Sequence, residues 1–186
     1  MSVAEEDKSL HKNPVPRLTG RYIRWTAYGL LILLFSLIQS APHGLPRIMG
    51  VLPVIMVPLT VCIAMQVGPV GGAAAGIAAG ILWDLYASSR LLGFNALLLL
   101  AIGCCSGLLV RLLIRNNLLS ALLLISGALL VQGLADWGFN YLLLRQEQPL
   151  YVLLHMVLPS LGYTFVLSPL IYALVYGITR ILRNRE

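Results

Sequence analysis

Long stretches of this chain carry no charge, and the charged residues fall between them. Trp25–Ser40 is the first apolar run, with Arg24 before it and Arg47 beyond it. Ile48–Ser89 follows, and its single charged residue is Asp84. As one helix, at about 1.5 Å per residue, that run would be roughly twice the ~30 Å hydrocarbon core of a bilayer. It must fold back, and Gly68-Pro69 is where the chain offers a turn, which predicts spans at 51–67 and 69–86. Leu91–Val110, between Arg90 and Arg111, predicts a fourth span. Residues 118–141 form a fifth, and 150–178 a sixth with kinks at Pro159 and Pro169. The expectation is an all-α membrane protein, with six transmembrane helices in one bundle over residues 25–179, the first span being 25–40.

From the Gly68-Pro69 turn through the third span glycine recurs every fourth position, at Gly68, Gly72, Gly76 and Gly80, and the next such step is Asp84. At 3.6 residues per turn these positions make one slowly turning stripe. Residues without a side chain let a second helix approach backbone to backbone, as small-xxx-small ladders do in bilayers. The stripe suits packing inside one chain, a partner helix, or a homo-oligomer. An Asp facing lipid at mid-bilayer would cost roughly 2.5–3.5 kcal/mol, so Asp84 either faces protein or water or sits solvated at a helix end.

Composition agrees with the pattern. The 186 residues are 59% apolar and 11% charged, where a soluble domain averages ~25% charged. The net charge of +6 does not describe a nucleic-acid surface, because the basic residues sit between and beyond the apolar runs. With the amino terminus inside, Lys8, Lys12, Arg17, Arg21, Arg24, Arg111, Arg115, Arg180, Arg183 and Arg185 are cytoplasmic, and Arg47, Arg90 and Arg145 are outside. That asymmetry assigns an N-in, C-in topology. Tyr22, Trp25, Tyr172 and Tyr176 then mark the inner interface, and Trp83, Tyr86, Trp137, Tyr141 and Tyr151 the outer one. Residues 1–24, polar and without an apolar signal region, are expected to form a mobile cytoplasmic tail, and 180–186 a basic one. Arg180, Arg183 and Arg185 suffice for modest attraction to anionic headgroups, although topology alone accounts for them.

On this topology several polar residues share a depth near the outer leaflet. Gln39 ends span 1, Asp84 ends span 3, and Arg90 and Asn95 follow it. On span 5, Gln132, Asp136 and Asn140 are spaced i, i+4, i+8 on one face. Two readings are open: the acids line an outward-facing cavity that takes a polar group, or they cap helix packing through Arg90 or Arg145. Catalytic and metal signatures are missing. His11, His43 and His155 are scattered, Cys62, Cys104 and Cys105 lie in apolar runs without ligand spacing, and the acid contexts LWDLY and LADWG do not fit intramembrane proteases. No enzyme, cofactor or metal is expected.

Gly76-x-x-x-Gly80-x-x-x-Asp84, followed by Leu92-Gly93-Phe94-Asn95-Ala96-Leu97, resembles the MreD family of bacterial rod-shape-determining membrane proteins. Gln39-Ser40 with Pro42, Pro53 opening span 2, the length and the short loops add to the resemblance, which covers about residues 30–180. The SSRLLG loop around Arg90 and the amino-terminal tail are longer than that pattern. The resemblance implies a non-enzymatic subunit of the elongasome in the bacterial cytoplasmic (inner) membrane. Such a subunit binds MreC and connects MreB filaments to periplasmic wall-synthesis enzymes. It also implies a fold similar to the S components of energy-coupling-factor transporters, six-helix bundles with an outward-facing pocket.

A scaffold is therefore the first functional expectation, with the glycine-faced helix serving association. A small-molecule-binding transporter component of the S-component type is the alternative, and requires Asp84, Gln132 and Asp136 to face an open pocket. An ion-coupled pore or flippase is disfavoured by the absence of charge placed clearly at the midplane.

Overall fold

A computed structural model of the chain describes residues 18–41, 53–86, 93–112, 117–139, 151 and 153–183. Regular structure among the described residues is entirely helical. The helices are α1 (Leu18–Ser40), α2 (Met56–Val67), α3 (Pro69–Tyr86), α4 (Phe94–Leu112), α5 (Leu118–Trp137) and α6 (Leu158–Arg183). A π-helical turn at Leu153–Val157 leads directly into α6.

The helix boundaries differ from the predicted spans in ways that follow from what each measures. Helix α1 begins at Leu18, so residues 18–24, expected in the tail, are helical. Likewise α6 runs to Arg183, past the expected start of the basic tail. Hydropathy marks where a chain leaves lipid, whereas backbone hydrogen bonding continues until a breaker stops it. At the other end of the last span, Pro159 lacks the N–H that would bond the preceding turn, and that turn is widened to the π form. Pro169 lies inside α6, which continues through it.

Four helical stretches are long and apolar enough to cross a membrane: Tyr22–Ser40, Phe94–Leu112, Leu118–Trp137 and Leu153–Leu182. They fit a multi-pass membrane protein. Their outward faces are apolar, with Leu30, Leu119 and Val166 each more than 70% exposed, as expected where lipid is the solvent.

Helix α2 is different. At 12 residues it is only about 18 Å long, and Met56 through Met65 are all buried. It touches α1, α3, α4, α5 and α6 and forms the centre of the bundle. A helix that is apolar on every side needs neighbours on every side. Leu59, Ile63, Leu99 and Ile125, each below 2% exposed, and Val175 at 1% are the middle of the core around it.

Between α2 and α3 stands one residue, Gly68, with φ of 91°. Its N–H donates to the Ala64 carbonyl at 2.8 Å, and its own carbonyl accepts from Gly72 at 2.7 Å. Pro69 then opens α3 at the one helical position where a missing N–H costs nothing. A positive φ at the end of α2 suits glycine, and the fold-back follows.

Candidate functional site

The glycine stripe of α3 lies against α4, and the two helices pack along their length. A Cβ on Gly72 would stand 2.5 Å from the carbonyl oxygen of Gly103, and one on Gly76 would overlap the backbone of Leu99. One on Gly80 would overlap Ala96, and a Cβ on Gly107 would stand 2.6 Å from Pro69 Cα. The contact is therefore backbone on backbone, with Gly103 and Gly107 of α4 answering the ladder of α3. Gly68, at its foot, lies under Arg111, whose Nε would be 3.0 Å from a Cβ there. The stripe thus works within the chain. Gly103-x-x-x-Gly107 carries the same spacing signal and was not among the sequence-derived candidates.

At the top of the same pair stands Asp84, 3% exposed. Its Oδ2 accepts the backbone N–H of Gly93 at 2.9 Å and that of Ala96 at 3.3 Å. Its Oδ1 accepts from Asn95 Nδ2 at 2.9 Å. Gly93 precedes the first residue of α4 and Ala96 is its third, so both N–H groups lack partners in their own helix. Asp84 supplies from α3 the acceptor that an N-cap side chain supplies locally, and its negative charge meets the positive end of the α4 dipole. This explains how an acid is tolerated in an apolar helix. Among the described residues, its carboxylate oxygens accept from two backbone N–H groups and one side-chain amide.

The chain of bonds continues into α5. Asn95 Oδ1 accepts from Gln132 Nε2 at 2.8 Å, and both residues are buried. Three helices are tied by one polar line, Asp84–Asn95–Gln132. Beyond it, Gln132 Oε1 is buried with no hydrogen-bond partner. Gln132 also lines a cavity of about 180 Å³ with Trp83, Asp136, Ser160 and Leu161.

Gln39 is not part of that line. Its Oε1 accepts the N–H of Ile55 at 3.1 Å, while Thr164 Oγ1 on α6 accepts the N–H of Val54 at 2.8 Å. Side chains from α1 and α6 thus meet the chain where it enters α2, whose N-cap makes no side-chain bond of its own. A second cavity, about 370 Å³, lies here against Ser36, Gln39, Met56 and Tyr86, and shares Val54 and Trp83 with the smaller one. Thr164 belongs to a buried hydroxyl stripe, Ser160, Thr164 and Ser168, whose i, i+4 spacing was the available signal.

The structure therefore brings together Asp84, Asn95 and Gln132, places Asp136 on the adjoining cavity, and sets Gln39 on a separate cap. Arg90 and Asn140 lie outside the described residues, as does Arg145. No group of His, Cys, Asp and Glu that could hold a metal ion occurs among the described residues.

No protein family, curated protein or solved structure matches this chain.

Proposed function

We propose that this chain is a non-enzymatic scaffold subunit of the MreD kind, acting in the cell-elongation machinery of a bacterial cytoplasmic membrane. On this reading α1 to α6 provide six crossings with both termini in the cytoplasm. The chain binds MreC, and through it helps couple MreB filaments to peptidoglycan synthesis. The supporting observation is that the two halves of the quoted motif form one unit. Asp84, ending the Gly76/Gly80 stripe, is bonded to Gly93, Asn95 and Ala96 of the second half. The motif's acid and amide are thus engaged in holding helices together, which is the work of a scaffold. Arg24, in the second turn of α1, and Arg111, in the last turn of α4, line one cavity, in keeping with a common cytoplasmic end.

Affinity purification of the tagged full chain from solubilised membranes of its host tests this reading. Recovery of a bitopic MreC-type protein, with loss of rod shape on depletion, is expected. Unchanged shape on depletion and no such partner would overturn it.

One observation favours the alternative, a small-molecule carrier of the S-component type. The cavity of about 180 Å³ joins the unpartnered Gln132 Oε1 to Asp136 and Ser160, a surface suited to a ligand that donates hydrogen bonds. Co-purification of an ATPase module in the same experiment would favour that reading.

A further inference from the structure

The hydrogen bonds that start at Asp84 have a fixed sense. Asp84 accepts at both carboxylate oxygens, so Asn95 turns its Nδ2 toward Oδ1, at 2.9 Å. That leaves Asn95 Oδ1 facing Gln132, which donates from Nε2 at 2.8 Å. The other end of the Gln132 amide is then its carbonyl oxygen. Gln132 is 3% exposed, and among the described residues its Oε1 has no hydrogen-bond partner. The line therefore ends on an acceptor, held in one orientation by two residues behind it.

The cavity that Gln132 lines, about 180 Å³, lies between α5, α6 and the π-helical turn. Leu129, Met156, Val157 and Leu161 give it an apolar wall, and Trp83 lines both it and the neighbouring cavity of about 370 Å³. Asp136 and Ser160 line it as well, each with an interaction of its own. Gly133 keeps the two sides apart without filling the space, since a Cβ there would stand 3.0 Å from Leu161 Cδ1 and 3.2 Å from Val157 Cγ1. A cavity of about 150 Å³ holds a benzene ring, so this one admits a single ring with a small substituent. Its wall suits the ring, and the buried carbonyl selects a group that donates, because buried polar atoms are normally paired. A substituent that only accepts would set lone pair against lone pair.

We propose that this cavity binds a compact, mainly apolar molecule carrying one hydroxyl or N–H group, which donates to Gln132 Oε1. The proposal rests on the same cavity as the carrier reading but requires no ATPase partner. A scaffold that holds such a molecule satisfies it equally.

The test uses the full chain in neutral detergent, titrated with 4-fluorophenol and 4-fluorotoluene and followed by fluorine NMR and thermal unfolding. The two probes have nearly the same shape, and only the first carries a donor. 4-Fluorophenol is expected to raise the unfolding temperature and to bind about tenfold more tightly than 4-fluorotoluene, although the latter is the more apolar. In Gln132→Met the preference is expected to vanish. Gly133→Ala narrows the cavity and leaves the Asp84 line untouched, and is expected to weaken both probes about tenfold. Gly127→Ala, which meets nothing within 4 Å, is expected to change neither. Displacement of 4-fluorophenol by phosphatidylglycerol but not by phosphatidylcholine would keep the donor chemistry and overturn a free molecule as its source. Equal affinity for the two probes in the unaltered chain, or a preference that survives Gln132→Met, would overturn the site. Whether an ATPase module co-purifies decides the carrier reading and not this one.

Discussion

Asn95 Nδ2 donates to Asp84 Oδ1 at 2.9 Å while its own Oδ1 accepts from Gln132. One amide thereby reads a carboxylate on α3 and a second amide on α5, and each of its two ends has one chemical sense only. The carboxylate must accept from three donors at once, which is why an acid rather than an amide stands at residue 84.

Asp84→Asn would present an N–H₂ group either to Asn95 Nδ2 or to the backbone N–H groups of Gly93 and Ala96. Donor would face donor in either orientation. The variant is expected to lose about 1–3 kcal/mol of stability, seen as a lower unfolding temperature in detergent. Asp84→Leu is expected to lose more, because two helix-end N–H groups are then left buried and unbonded.

Gly76→Ala and Gly80→Ala add a single methyl where the backbone of α4 already lies. Neither Leu99 nor Ala96 can give way by a rotamer change, so the helices must separate. A loss of about 1–3 kcal/mol each is expected. Gly29→Ala and Gly127→Ala meet nothing within 4 Å, and are expected to be neutral or to stabilise by up to about 1 kcal/mol. A thermal-melt comparison of the four variants separates a packing ladder from a general dislike of substitution.

Thr164→Val and Gln39→Leu each remove the acceptor for one N–H ahead of α2. Each is expected to cost about 1 kcal/mol. Amide exchange of Val54 in the first variant and Ile55 in the second should accelerate, with the core of α2 around Leu59 and Ile63 unchanged.

Gln132→Met keeps the volume and removes the donor to Asn95 Oδ1. It is expected to destabilise by about 1–3 kcal/mol. Any ligand of the neighbouring cavity that donates to Gln132 Oε1 would also lose its effect on the unfolding temperature in this variant.

Helical character, the fold-back at Gly68-Pro69 and the existence of a packing stripe were legible in the sequence, because each rests on local properties: charge-free length, a missing N–H, a missing Cβ. The partner of the stripe was not. Gly103 and Gly107 carry the same spacing, but spacing alone cannot say which two helices meet. The polar residues near one end were also visible as a set sharing a depth. Their division was hidden, since depth along the helices says nothing about angle around the bundle, and Gln39 differs from Gln132 only in that angle.

Length and hydropathy by themselves determined that this chain is helical, apolar and fitted to a bilayer, since a continuous apolar run of about 20 residues satisfies its own backbone groups there as a helix, whereas a barrel strand is shorter and alternates. That α2 would be a short helix enclosed by the others, that Asp84 would cap α4, and that Arg24 and Arg111 would share a cavity were decided by tertiary structure. Those relationships join residues far apart in the chain, and only the packing of whole helices brings their side chains within bonding range.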